Sequence, residues 1–344
     1  KTNFFNDLNP LEKFILEVGY PRSTGFVTLG AASSSLPVSN SSGYFGAGAG
    51  DSAEYIQVKG GPHLNTIYDA NKNRKSNLLF GGVSGSTVEF MLKKEDLINF
   101  NKESQRQVIF DLTNGQTNPA EGDYGRLRIE LVSGSETQFE VTMLSGTTGY
   151  DKVLVPTTAD SITISDGIWR NYAFVFNTSG SAAKLDFYVN GTCIETEISA
   201  NSGSANVNEV IGTLIGNIGG LRTNIKGTSG LAEGAGKLSA SLDEFRFWKK
   251  ARTAEQIGRC WFTNVDGGAS TSDANVSLGV YYKFNEGITS TGSVNEVIVD
   301  YSGRMSNGTF SGYNSTYSRN TGSAIDGLGL ASVSERGDPI LRTS

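Results

Sequence analysis

Alternation of apolar and polar positions with a period of two dominates this chain. Thr87 to Leu92 places Val88, Phe90 and Leu92 on one face, and Leu127, Ile129 and Leu131 alternate with Arg126, Arg128 and Glu130. Phe139, Val141 and Met143 alternate with Gln138, Glu140 and Thr142, and Leu185, Phe187 and Val189 repeat the pattern. Each run predicts a strand with one face in a core and one face wet. Asp166 to Asn177 is apolar on both parities, with Trp169, Ala173 and Val175 opposed to Tyr172, Phe174 and Phe176, and predicts a strand inside a sheet. Asn190-Gly191 and the Ser133-to-Glu136 segment predict hairpin turns, and Gln107 to Leu112 and Ile211 to Gly220 are further strands.

Two stretches break the alternation. Between Leu238 and Trp248 the inward parity changes at Asp243-Glu244, from Leu238, Ala240 and Leu242 to Phe245 and Phe247, which predicts a bulge. The period then becomes 3.6: Thr253 and Gln256 have capping-box spacing, and Ile257, Cys260 and Trp261 share a helical face. Near the start, Asn9-Pro10-Leu11-Glu12 followed by Phe14, Ile15 and Val18 predicts an amphipathic helix ended by Gly19 and Pro21.

Composition agrees with an all-β reading. In 344 residues there are 43 Gly and only 7 Pro, which suits many short strands joined by polar turns. The formal net charge of -6 gives no basic footprint, so nucleic acid is not an expected partner. No apolar run approaches the ~20 residues of a spanning helix, so no membrane insertion is expected. Lys1 is not an initiator Met and no leader pattern follows it, which reads as a piece of a longer or processed product. Cys193 and Cys260 are the only cysteines and read as unpaired, mostly buried thiols. His63 is the only histidine, which excludes a multi-His metal site and leaves a Ser-His-Asp triad unsupported. For glycan contact the expected residues are aromatics in Gly-rich loops, here Tyr124, Tyr150 and Tyr313.

The segment "LDEFRFWKKARTAEQIG" from Leu242 resembles the closing signature of a laminin-G-like, concanavalin A-type lectin/glucanase sandwich. "GYFGAGAGDSAEYIQV" from Gly43, "DGIWRNYAFVFN" from Asp166 and "LDFYVNGT" from Leu185 are similar to three further strands of that family, in order. Asn171 stands where the family commonly has His. The fold implied is an antiparallel two-sheet jelly roll with short helices at the N-terminus and after the closing strand. The family's opening strand is not found before Ser42, yet "LGVYYKFNEG" from Leu278 and "VIVDYSGRMSNGTFSGY" from Val297 resemble it and its sequel. Either a second domain starts at Leu278 or the opening strand has moved by circular permutation; the 57 residues after Gly287 are too few for another sandwich, and permutation is the reading adopted. The expected organisation is an N-terminal helix and linker over 1–42, the sandwich over 43–313 and a C-terminal linker over 314–344.

That resemblance implies one structural Ca²⁺ between closing and early strands, which by position falls to Asp243 and Asp51. The glycosidases of this fold commonly carry Glu-x-Asp-x-Glu on a strand, and no stretch here does; Glu195 and Glu197 lack the central Asp. The C-terminal third also looks like large virion structural proteins of tailed phages that infect marine cyanobacteria. The function expected is therefore a non-enzymatic module on the particle surface, for host-surface or glycan attachment or contact with other virion proteins or copies of itself. The competing expectation is an enzyme on the same fold that degrades host surface polysaccharide.

Overall fold

A computed structural model describes residues 25–29, 54–60, 76–94, 107–120, 122–131, 135–159, 161–178, 182–203, 207–210, 212–222, 233–263, 265, 273–286, 291–304, 306–314, 318–321 and 324. The helix expected at 9–19, the Gly43 segment up to Asp51, and His63 lie outside these residues.

Sixteen strands form two antiparallel sheets. The first sheet contains β1 (Gly25–Leu29), β3 (Ser86–Lys93), β8 (Arg170–Asn177), β9 (Lys184–Val189), β10 (Thr192–Ser199), β12 (Ala240–Trp248), β13 (Leu278–Tyr282) and β16 (Arg319–Thr321). The second contains β2 (Tyr55–Lys59), β4 (Gln107–Thr113), β5 (Gly125–Leu131), β6 (Phe139–Ser145), β7 (Thr148–Val155), β11 (Ile215–Ile218), β14 (Val297–Ile298) and β15 (Gly308–Ser311). Short helices α1 (Ala254–Cys260), α2 (Asp273–Ser277) and α3 (Gly292–Asn295) lie between the late strands. The expected all-β jelly-roll sandwich is what the chain builds.

The inward faces meet in one core. Phe139 reaches Tyr172 and Phe174 at ring separations of 5.0 and 5.3 Å, and Phe110 meets Phe245 at 5.0 Å, so aromatic pairs tie the sheets together. Leu242 and Phe245 both point into this core because the register slips between Asp243 and Arg246, with Glu244 at φ 50°. Leu238 to Trp248 thus changes parity by the bulge its pattern predicts. The hairpin at Asn190 and Gly191 has φ 48° and 74°, as the Asn-Gly pair requires. Thr253 and Gln256 close a full capping box on α1.

The late segment belongs to the same sandwich. Val280, Tyr282, Phe284, Ile298 and Phe310 share the core with Ile56 and Val58, and β15 pairs with β2. β13 pairs with the second half of β12, and β1 pairs with the first half in the same direction. The two strands abut end to end: the Gly25 amide donates to Asn285 Oδ1 at 3.0 Å, and a Cβ on Gly25 would sit 2.7 Å from the Phe284 carbonyl oxygen. Two distant pieces of chain therefore act as one long strand beside β12.

Three expectations change. Gly25–Leu29 is a sheet strand rather than linker, since Val27 and Leu29 enter the core, and Arg319–Thr321 is its neighbour rather than a tail. Cys193 is exposed, because β10 is an edge strand bulged on both sides of Glu195. The outward face of β5 is not wet: Arg126 and Arg128 are each 2 % exposed.

Candidate functional site

The outward face of the second sheet carries a row of polar side chains in register. Val297 faces Thr309, which faces Gln57, then Asn217, Asp111, Arg128 and Thr142. Lys152 of β7 closes the row, its amide donating to Thr142 Oγ1 at 3.3 Å. Eight strands at the usual spacing make this face about 34 Å wide. Alternation places these residues outward because Ile56, Phe110, Leu127 and Val141 take the inward positions.

Charges on this face are paired. Arg126 grips Asp111 with Nε at 2.9 Å and Nη2 at 2.6 Å, and Arg128 meets Glu130 at 3.2 Å. Glu130 faces Glu140 across β5 and β6. Burial, the hydrogen bond with Glu130 and its charge push the Glu140 carboxyl up to about 7, against the pull of Arg128 and Lys152. Two polar atoms lack a partner: Arg128 Nε and Asn217 Oδ1, one a donor and one an acceptor.

A stem of chain lies over the middle of the row. Leu221 exchanges main-chain bonds with Gly234 and Ala235, and a Cβ on Gly220 would come within 3.0 Å of Gly234. The Arg222 amide donates to Asp111 Oδ2 at 2.8 Å, and Asn217 Nδ2 donates to the Leu221 carbonyl at 2.9 Å. Leu221 and Ala235 pack on Val108. This stem and the side-by-side ion pairs keep the centre dry, while Glu140 is half-buried and Lys152 and Leu154 at the β6–β7 end are exposed.

The opposite face of the sandwich is closed. Arg246 has no exposure, donates to Glu244 Oε2 at 2.8 Å and to the carbonyls of Cys260 and Thr263, and approaches Glu89 at 3.5 Å. Arg252 holds the other oxygen of Glu89 at 2.5 Å and stacks 4.1 Å from the Trp248 ring centroid. Helix α1 is thereby fixed over the outer side of the first sheet, with Ile257 packed on Ala173, Val175 and Tyr188. Helix α1 covers this part of one outer face, and the stem covers the middle of the other.

Residues 79–258 match the profile of the concanavalin A-like lectin/glucanases superfamily, laminin-G type, which is more than half of the chain. The chain belongs to this superfamily. A putative carbohydrate binding protein from Bacteroides ovatus is 17% identical, with 87% of this chain and 60% of that chain covered and a TM-score of 0.45. An SAP-like pentraxin from Limulus polyphemus is 13% identical over 69% of this chain and 81% of that one, TM-score 0.38. The sialidase CBM40 of Ruminococcus gnavus, bound to α2,3 sialyllactose, is 11% identical over 52% and 83%, TM-score 0.30. No curated protein sequence matches the chain.

Within this lectin/glucanase sandwich the expected site residues are dispersed. Tyr150 is fully buried against Phe176 at 5.9 Å, and Tyr124 is buried beside Arg126; neither has the open ring face that sugar stacking needs. Tyr313 is half-buried with its ring against Phe310 at 5.7 Å. Asp243 is fully buried at the bulge, where Oδ1 accepts the Glu244 amide at 2.8 Å and Oδ2 accepts the Ala324 amide at 3.4 Å. Asp51 lies outside the described residues. Among the described residues no group of three or more acidic, His or Cys side chains could hold a metal ion. Sequence reasoning missed Gln57, Asn217, Asp111 and Thr142, whose signal was their polar parity in otherwise apolar strands.

Proposed function

We propose that the chain is a non-catalytic glycan-binding module of a phage particle surface, and that the open β6–β7 end of its outward sheet row contacts the sugar. The observation that supports this is the open β6–β7 end of that sheet, where half-buried Glu140 and exposed Lys152 and Leu154 continue the buried polar row to the surface. Sugar hydroxyls donate and accept, and the Lys152 ammonium and Glu140 carboxyl at this end offer both. The virion setting rests on the resemblance of the C-terminal third to phage structural proteins. Glu130 and Glu140 are not spaced as a glycosidase pair, because they share a hydrogen bond, whereas glycosidase carboxyls stand about 5 to 5.5 Å or about 6.5 to 9.5 Å apart.

The test is a printed glycan array together with adsorption to host cells, each run with calcium and with EDTA. The expected result is oligosaccharide binding that weakens in Lys152→Ala, with no release of reducing ends from the bound sugars. Silence on both surfaces moves the module to contacts between virion proteins, and release of reducing ends restores the enzyme. The calcium expected beside Asp243 is judged separately: a lower unfolding midpoint in EDTA supports it, and an unchanged midpoint removes it.

A further inference from the structure

The chain from Val297 to Tyr301 leaves the edge of the second sheet and passes beside β13 of the first. Its exposure alternates: Val297 39 %, Val299 36 % and Tyr301 41 % are open, while Ile298 and Asp300 are buried. Tyr301 is the one aromatic among the described residues with a side chain this open.

Its ring is held. The Tyr301 amide donates to the Tyr281 carbonyl at 2.8 Å, and the two rings meet edge to face at 6.5 Å and 67°. Lys283 Nζ lies 5.1 Å from the centroid of each ring. An aromatic ring left 41 % open, backed by a second ring and beside an ammonium, is amphipathic on the scale of one sugar ring.

The backbone here cannot take a protein strand. Val297 O accepts from Arg319 Nη2 at 2.7 Å and the Val299 amide donates to Glu286 Oε1 at 2.8 Å, while Arg319 and Glu286 pair at 2.6 Å. These side chains stand where a neighbouring strand would bond, so the edge is capped and only its side-chain surface remains available.

We propose that Tyr301 is the stacking platform of a saccharide site on this flank, separate from the polar row, with Val299 extending the apolar floor and Lys283 meeting ring hydroxyls. The inference rests on the glycan-binding reading above. An amphipathic sugar ring suits this surface: its C–H face lies on the part of the tyrosine that Lys283 leaves open, and its hydroxyl rim reaches the ammonium past the ring edge.

The test uses the full chain on the same printed array of neutral, amino and uronate oligosaccharides, with Tyr301→Ala, Tyr301→Phe and the row variant Lys152→Ala. Tyr301→Ala should lose about tenfold in apparent affinity for at least one oligosaccharide class, while Tyr301→Phe, which keeps the ring, stays within about twofold. The unfolding midpoint of Tyr301→Ala, measured alongside, should fall by no more than a few degrees, the contacts with Tyr281 and Lys283 being what is lost. Unchanged array binding by Tyr301→Ala overturns this site and leaves the row reading intact. Silence of the parent chain overturns both. Silence combined with a concentration-dependent dimer that Tyr301→Ala abolishes would assign the flank to a second copy of the chain instead.

Discussion

Arg246 sits without solvent contact between Glu89 and Glu244, and it also holds the last carbonyls of α1 and its C-terminal loop. Removing such a charge leaves the buried Glu244 carboxylate without its ion-pair partner and Glu89 with Arg252 alone, so Arg246→Leu should cost about 3–5 kcal/mol in urea unfolding. A loss under about 1 kcal/mol would mean that the cluster is solvated. Glu140 works in the other direction. Its carboxyl titrates near 7 in the fold against an ordinary 4.5, so the folded state holds the proton more tightly and stability falls as pH rises from about 4.5 through about 7. The decline should be on the order of 1–2 kcal/mol, because the group is half-buried, and it should flatten in Glu140→Gln when midpoints are compared at pH 5 and pH 8.

At the scale of elements, α1 is seven residues long and owes its position to its cap and to Arg246 and Arg252 rather than to propensity. Thr253→Ala removes the side-chain acceptor of the box and should lower stability by about 1 kcal/mol, read as a shift in the urea midpoint at constant slope. The elements that were legible in the chain are those whose information is local: β3, β5, β6, β8, β9, the bulge of β12 and the Asn190-Gly191 turn. β1 and β16 were not, because a five-residue strand amid small residues and a three-residue Arg-Asn-Thr strand carry almost no periodic signal and exist only by pairing with each other and with β12. The polar row had the same limit. Its members could be seen to face outward, but the register of β2 with β11 and of β11 with β4 joins segments far apart in sequence, and no local pattern encodes it.

For the molecule as a whole, the core is not complete before the last third of the chain. Val280, Tyr282, Phe284, Ile298 and Phe310 are buried in it, so a chain ended before Leu278 should fail to give a cooperative unfolding transition and should bind hydrophobic dyes. A chain that begins at Leu278 and runs through a short linker from beyond Thr321 into Gly25 keeps every strand pair and should still fold.

The strand assembled from β13 and β1 has a further consequence for how the protein is made. Its two halves meet through Gly25 and Asn285, 260 residues apart. A ribosome moving at about 5–20 residues per second needs roughly 13–52 s between delivering one half and the other. For most of that interval β1 waits without β12, the strand it pairs with, and once β12 emerges half of its flank stays open until Leu278–Tyr282 follows, so both edges are exposed to pairing with a neighbouring chain on the same messenger.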